Sequence, residues 1–211
     1  SGEDVMASEM KYPTSLFSSN LKFDGENSSG GVLSIAGCSA EKLVAEYGSP
    51  LFVIDQADFY LRTNAWRSAI SSAFENSQLY YAAKSFISVE LAKWLKELKV
   101  GLDVCSGGEL AVALAADFPA SDIEFHGNNK SEVEITTAIK AGVGTIVIDS
   151  FDEMNRVSKI AKELNMVQKI YLRLTPGVDA HTHEFISTAH EDVKFGFSIA
   201  SGAALDAIEK S

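Results

Sequence analysis

The sequence predicts an α/β fold in which parallel strands are joined by helical crossovers. They are arranged as a (β/α)8 barrel of the TIM type, with about five of its strands present. Three observations lead there. Short apolar runs alternate with stretches of helical period, and successive runs start roughly 20–25 residues apart, room for one crossover helix each. Three junctions between run and helix carry a serine followed three residues later by a glutamate. Each run from Gln78 onward also presents an ionisable residue near its C-terminal end.

In chain order, Lys11–Ser39 is rich in serine, glycine and asparagine, and Ser28-Ser29-Gly30-Gly31 reads as a turn between two short β-like pieces. Val32–Ala36 is expected as a strand and Ala40–Tyr47 as a short helix ended by Gly48. From Pro50 the texture becomes regular. Strands are expected at Leu51–Asp55, Gln78–Lys84, Gly101–Ser106, Ile123–Gly127, Thr145–Ser150 and Lys169–Leu174. Helices are expected at about Ala57–Glu75, Ser88–Leu98, Gly108–Asp117, Glu132–Ala141 and Asp152–Asn165, with another beginning near Ser201. Ser106-Gly-Gly-Glu109, Ser131-Glu-Val-Glu134 and Ser150-Phe-Asp-Glu153 match the capping box. In that motif the serine accepts from a first-turn amide while the glutamate reaches back to the serine's own.

An open doubly wound sheet and a barrel both satisfy this alternation, and the strand ends decide between them. Those ends carry Lys84, Asp103, His126, Asp149 and Arg173. Period-2 parity groups Lys84 with Tyr80 and Ala82, and Arg173 with Tyr171. It leaves Leu79, Tyr81, Ile170, Leu172 and Leu174 to face the helices. Polar groups pointing inward at one end of successive strands build a barrel's active-site face. A Rossmann sheet concentrates its signal in one glycine-rich turn after a strand, whereas Gly142-Val-Gly144 precedes one.

Composition narrows the function classes. With 46% apolar and 22% charged residues the chain is expected to be globular. No apolar run approaches the about 18 residues a membrane span needs. Ser1–Met10 carries Glu3, Asp4 and Glu9 and does not read as a secretory signal. A net charge of −11 argues against nucleic acid, which demands clustered Lys and Arg. Cys38 and Cys105 lack metal-type spacing and point to a reduced, cytoplasmic protein.

Lys84 is the sharpest single residue, at the end of Tyr80-Tyr-Ala-Ala-Lys84. Two readings are open: a lysine that snorkels to solvent, or a Schiff-base lysine whose small neighbours, Ala82 and Ala83, leave room for a cofactor ring. A buried Arg173 needs a carboxylate, which Asp103 or Asp149 can supply. His126 is either a ligand-facing imidazole or a satisfied core histidine. Ser106 is read as a helix cap rather than a phosphate site, and Cys105 as core rather than nucleophile. His181, His183 and His190 lack a Cys or carboxylate at ligand spacing, so no metal is expected. The polar stretch Asp179–Lys194 has the character of a loop covering a barrel mouth.

Several motifs follow one another in a set order: Tyr81-Ala-Ala-Lys84-Ser, Gly101-Leu-Asp-Val-Cys-Ser-Gly-Gly-Glu-Leu110, His126-Gly-Asn-Asn-Lys130 and Ile148-Asp-Ser150. Arg173-Leu-Thr-Pro-Gly177, His181-Thr-His-Glu-Phe185 and Lys194-Phe-Gly-Phe197 complete the run. From about Ile35 to the last residue the chain resembles the diaminopimelate decarboxylases, fold-type-III enzymes dependent on pyridoxal 5'-phosphate and related to ornithine decarboxylase and alanine racemase. The resemblance implies the alanine racemase-like barrel, a homodimer with shared active sites, and decarboxylation of meso-diaminopimelate to L-lysine and carbon dioxide. It implies that Lys84 is the catalytic lysine holding the cofactor, with Asp103 and Arg173 beside it; His126, at the end of the third strand, is expected as a further cofactor contact. Asn128, Asn129, His181 and His183 are implied to line the substrate loop. Residues 1–55 are then expected to contribute to a β-domain and residues 56–211 to form the first part of the barrel, with the remainder and a C-terminal β-domain outside this chain. A decarboxylase of ornithine or arginine and a non-catalytic regulatory protein of the same fold are the rival readings.

Overall fold

A computed structural model describes residues 17–24, 31–177 and 195–211. The chain divides into two compact units, Ser1–Ser77 and Gln78–Ser211. In the first, β1 (Leu21–Asp24) pairs antiparallel with β2 (Val32–Ile35), which turns back on β3 (Cys38–Ser39). Ala36 and Gly37 make that turn with φ of +50° and +80°, the left-handed pair that a two-residue hairpin requires. Ser39 caps α1 (Ala40–Tyr47), and Gly48 ends it at a positive φ, as expected.

Leu51–Asp55 departs from expectation. It pairs with no strand among the described residues, and Phe52 is 96% exposed. An apolar run becomes a strand only where a partner edge takes its amides and carbonyls. Its last residue serves another element: the Asp55 carboxylate accepts from the amides of Ala57 and Asp58 and so starts α2 (Gln56–Ala73).

The second unit is built on five strands: β4 (Tyr80–Ala82), β5 (Gly101–Val104), β6 (Ile123–Phe125), β7 (Thr145–Ile148) and β8 (Ile170–Leu172). They are all parallel and lie in sequential order, β4-β5-β6-β7-β8. Between them run α3 (Val89–Glu97), α4 (Gly107–Ala115), α5 (Glu132–Ala141) and α6 (Phe151–Glu163). A doubly wound sheet reverses its strand order at a switch point, and this one does not. It is the arc of a (β/α)8 barrel.

Register fixes which side chains share a face. Leu102, Val104, Ile123, Phe125, Ile146 and Ile148 are at most 1% exposed and form the face against the helices. Each such burial contributes about 1.5–3 kcal/mol. The opposite face carries Tyr80, Asp103, Glu124 and Thr145 in paired register, as the parity predicts. A Cβ on Gly101 would stand 2.5 Å from the Tyr80 ring, so glycine leaves that ring its place.

All five of these strands are shorter than predicted, and two of them end for reasons the hydrogen bonds show. Lys84 leaves β4 for a single 3-10 turn, Ala83–Ser85. The Ser85 hydroxyl lies 2.8 Å from the Ala82 carbonyl and 3.0 Å from the Tyr81 hydroxyl, which itself donates to the Phe86 carbonyl at 2.8 Å. The other run breaks at Arg173 into β8 and β9 (Leu174–Thr175), because the chain changes partner there. The Arg173 amide donates to Ile148 on β7, whereas its carbonyl accepts from Phe197 on β10 (Phe197–Ser198), which leads to α7 (Ala203–Lys210).

Of the three expected capping boxes one closes. Each serine accepts from the amide three residues on, but only Glu134 returns to its own cap, Ser131. Glu109 and Glu153 instead accept from the amide before the cap, at Cys105 and Asp149, both at 2.7 Å. Those amides end strands and have no ladder partner, so the glutamates satisfy the costlier donors.

Gly144 runs close beneath the turn before β6, where an added Cβ would lie 2.0 Å from the Ser121 carbonyl oxygen. Gly144→Ala is expected to lower stability by about 1–3 kcal/mol through this overlap. A thermal melt of the variant against the parent measures it.

Candidate active site

The ends of β4 to β8 and the turns that follow them bring Lys84, Asp103, His126, Asp149 and Arg173 to one end of the sheet. Lys84 is exposed, and among the described residues its amine makes no hydrogen bond. The turn that carries it is tied by the Ser85 hydroxyl to the Ala82 carbonyl, and Ala83 beside it is buried.

Asp103 is the most perturbed group here. Its side chain is 19% exposed, and its buried Oδ1 has no hydrogen-bond partner among the described residues. His126 Nε2 stands 3.9 Å from that oxygen and 4.0 Å from Glu124 Oε2. Burial pushes the Asp103 carboxyl up to about 6, Glu109 adds to the rise, and the charge of Lys84 opposes it. Burial pushes the His126 imidazole down, with Lys130, Arg173 and Lys84 reinforcing and Glu124 opposing. Strand register and the 3.9 Å approach of His126 to Asp103 bring the ends of β4, β5 and β6 together here.

Of the two carboxylates open to Arg173, the structure selects Asp149. Arg173 Nη1 donates to Asp149 Oδ1 at 3.0 Å, with the Asp149 side chain 6% exposed, and the guanidinium lies 4.6 Å from the centre of the Phe195 ring. The glycine of Phe195-Gly-Phe197 has a physical reason. Gly196 has a φ of +72°, and a Cβ there would meet the Arg173 carbonyl oxygen at 2.6 Å.

Ser106 caps α4, as expected, and the neighbouring Gly107 amide is taken by Glu134 Oε1 at 2.7 Å. Cys105 is half-buried, its thiol pushed up by burial and by the charge of Asp103. Asn128 and Asn129 are exposed in the loop after β6, at the same end of the sheet. His181, His183 and His190 lie outside the described residues. Among the described residues no group of three or more His, Cys, Asp and Glu comes together as a metal site.

One residue of this end is not singled out by any sequence motif, and another has more to do than its motif implies. Glu124 faces the same side as Asp103, and burial raises its carboxyl; parity on a three-residue strand was its only signal. Glu153, read in the sequence as the capping-box partner of Ser150, is 1% exposed.

The family described as pyridoxal-dependent decarboxylase, pyridoxal binding domain, matches residues 56–211. The chain belongs to the pyridoxal-dependent decarboxylases. The diaminopimelate decarboxylase of Mycobacterium tuberculosis (strain ATCC 25618 / H37Rv) is 54% identical over 180 residues, 85% of this chain and 40% of that protein. That of Bacillus subtilis (strain 168) is 44% identical over 180 residues, 85% of this chain and 41% of that protein. Among solved structures, diaminopimelate decarboxylase from M. jannaschii in co-complex with L-lysine superposes with a TM-score of 0.78 at 29% identity, covering 92% of this chain and 44% of that one. The enzyme from Helicobacter pylori complexed with L-lysine gives 0.69 at 28% identity, covering 81% and 43%. The chain spans about two fifths of the length of the curated relatives it matches. The groups at the sheet end suit a pyridoxal cofactor: a primary amine and a buried carboxylate oxygen that have no hydrogen bond among the described residues, and a guanidinium paired with Asp149.

The Asp103 carboxyl gives a pH test. The native acid keeps its proton to about pH 6, whereas the unfolded acid loses it near pH 4, so the native state binds more protons between those values. Its contribution to stability therefore falls as pH rises through that window. Asp103→Asn is expected to melt progressively higher, relative to the parent, from pH 4 to pH 6.5 in the cofactor-free protein. Parallel melts across that range check the sign.

Proposed function

We propose that the protein containing this chain is a diaminopimelate decarboxylase, releasing carbon dioxide from meso-2,6-diaminopimelate and leaving L-lysine. The observation that carries the reading is an exposed amine, Lys84, beside Asp103 Oδ1, both without a hydrogen bond among the described residues, in a chain 54% identical to a diaminopimelate decarboxylase over 180 residues. Lys84 is the residue proposed to hold the cofactor. The bound cofactor's chemistry is that of an electron sink for the pair left on Cα when the carboxylate departs.

The chain's own residues supply the rest. Lys84 would hold the cofactor's aldehyde carbon and, as an ammonium, would supply the proton that Cα needs after carbon dioxide leaves. Asp149 pairs with Arg173, which leaves the guanidinium's other donors for the proposed cofactor or substrate. Asp103 and His126 present a carboxyl and an imidazole whose protonation is set by burial. Asn128 and Asn129, with His181 and His183, are proposed to meet the substrate's distal end. Residues 1–55 are proposed to belong to a β-domain, and the whole protein to act as a cytoplasmic homodimer. The family resemblance supports both, and no helix among the described residues is long and apolar enough to cross a membrane.

In the holoenzyme, Lys84→Ala is expected to remove the visible absorbance band of the bound cofactor and borohydride trapping at that peptide. It is also expected to lower turnover by at least about a thousandfold. Carbon dioxide release assayed from meso-diaminopimelate, ornithine and arginine is expected to favour the first by a wide margin. A site built to pair a distal zwitterion leaves polar groups unpaired with the others. Comparable rates would move the protein to another branch of the family.

A further inference from the structure

Lys130 has no place in that mechanism, yet it is among the most buried charged residues described. Its side chain is 1% exposed and that of Glu153 is 2%, with Nζ 2.9 Å from Oε1. The amine donates also to the Gly127 carbonyl at 2.5 Å and the Val147 carbonyl at 2.9 Å. Burial depresses the amine and the charge of Glu153 restores it.

Such a pair is not needed for stability. Two apolar side chains of similar volume would serve as well or better, because desolvating both charges offsets their attraction. What the pair adds is direction. Gly127 opens the Asn128–Asn129 loop at a φ of +112°, where a Cβ would stand 3.1 Å from the Cys105 carbonyl oxygen. A carbonyl in so constrained a backbone, pinned from below by an ammonium, holds the two asparagines in one arrangement. The second oxygen of Glu153 accepts from the Asp149 amide at 2.7 Å, and Asp149 in turn grips Arg173. The single carboxylate of Glu153 thus ties the loop after β6 to the guanidinium at the end of β8.

Resting on the function proposed above, we propose that Lys130 and Glu153 are positioning residues. They place the Asn128–Asn129 loop against the substrate and register it with Arg173, without touching substrate or cofactor themselves.

Steady-state kinetics of the holoenzyme test this. Lys130→Met is expected to raise KM for the amino acid at least tenfold and to change kcat per bound cofactor less than threefold. The visible band and the affinity for pyridoxal phosphate should stay as in the parent. The double variant Lys130→Met with Glu153→Met removes both charges, so it folds without a stranded carboxylate, and it is expected to show the same rise in KM. A purely structural pair would lower the active fraction and the melting temperature and leave KM unchanged. KM within twofold of the parent in the double variant overturns the proposal. Turnover by the parent of a different amino acid would overturn the proposed function instead, and KM for that amino acid then reads the positioning role.

Discussion

The in-register parallel pairing of β4 to β8 is the constraint from which the rest of the second unit follows. Side chains alternate with period 2, so a slip of one residue in any strand would exchange its two faces. Leu102 and Val104 would turn to the polar side and Asp103 would enter the apolar layer beneath α3 and α4. Burying the isoleucines, valines and Phe125 against the helices therefore also determines that Asp103, Glu124 and His126 share the other face. The site's geometry is a by-product of core burial.

A second layer of order lies at the C-terminal end of the same strands. Parallel strands and helix starts both leave amides without partners there, and glutamates supply acceptors for them. Glu109 takes the Cys105 amide, Glu134 takes those of Ser131 and Gly107, and Glu153 takes that of Asp149. Two of these carboxylates reach beyond their own helix, Glu134 to the start of α4 and Glu153 to Lys130. The helix starts are thereby stitched to one another, and the Gly107 amide, a donor of the kind that anions seek, is already satisfied. Rigidity at this end lets loop residues such as Asn128 and Asn129 be placed by the backbone rather than by their own contacts.

The corrections share a cause. Leu51–Asp55 has the composition of a strand, but composition cannot supply the neighbouring edge that makes one. Arg173 sits inside what reads as one strand, and the chain breaks there because two different partners take its amide and its carbonyl. Ser-x-x-Glu marks a helix start reliably in all three places. It leaves open which amide the glutamate prefers, since that depends on a donor outside the motif.

By itself the sequence determined the alternation of strand and helix, the parity that turns Lys84, Asp103, His126 and Arg173 to one side, and the motifs that place the chain among the pyridoxal-dependent decarboxylases. These are local properties, carried by spacing and residue type. Only the tertiary structure decided that Arg173 pairs with Asp149 rather than Asp103, that Lys84 sits on a turn rather than a strand, and that Lys130 and Glu153 form a buried pair beneath the loop. The two ion pairs depend on residues more than twenty positions apart meeting across the sheet, set by three-dimensional register that no local pattern encodes, whereas the turn at Lys84 is held by bonds of Ser85 and Tyr81 that only the folded chain discloses.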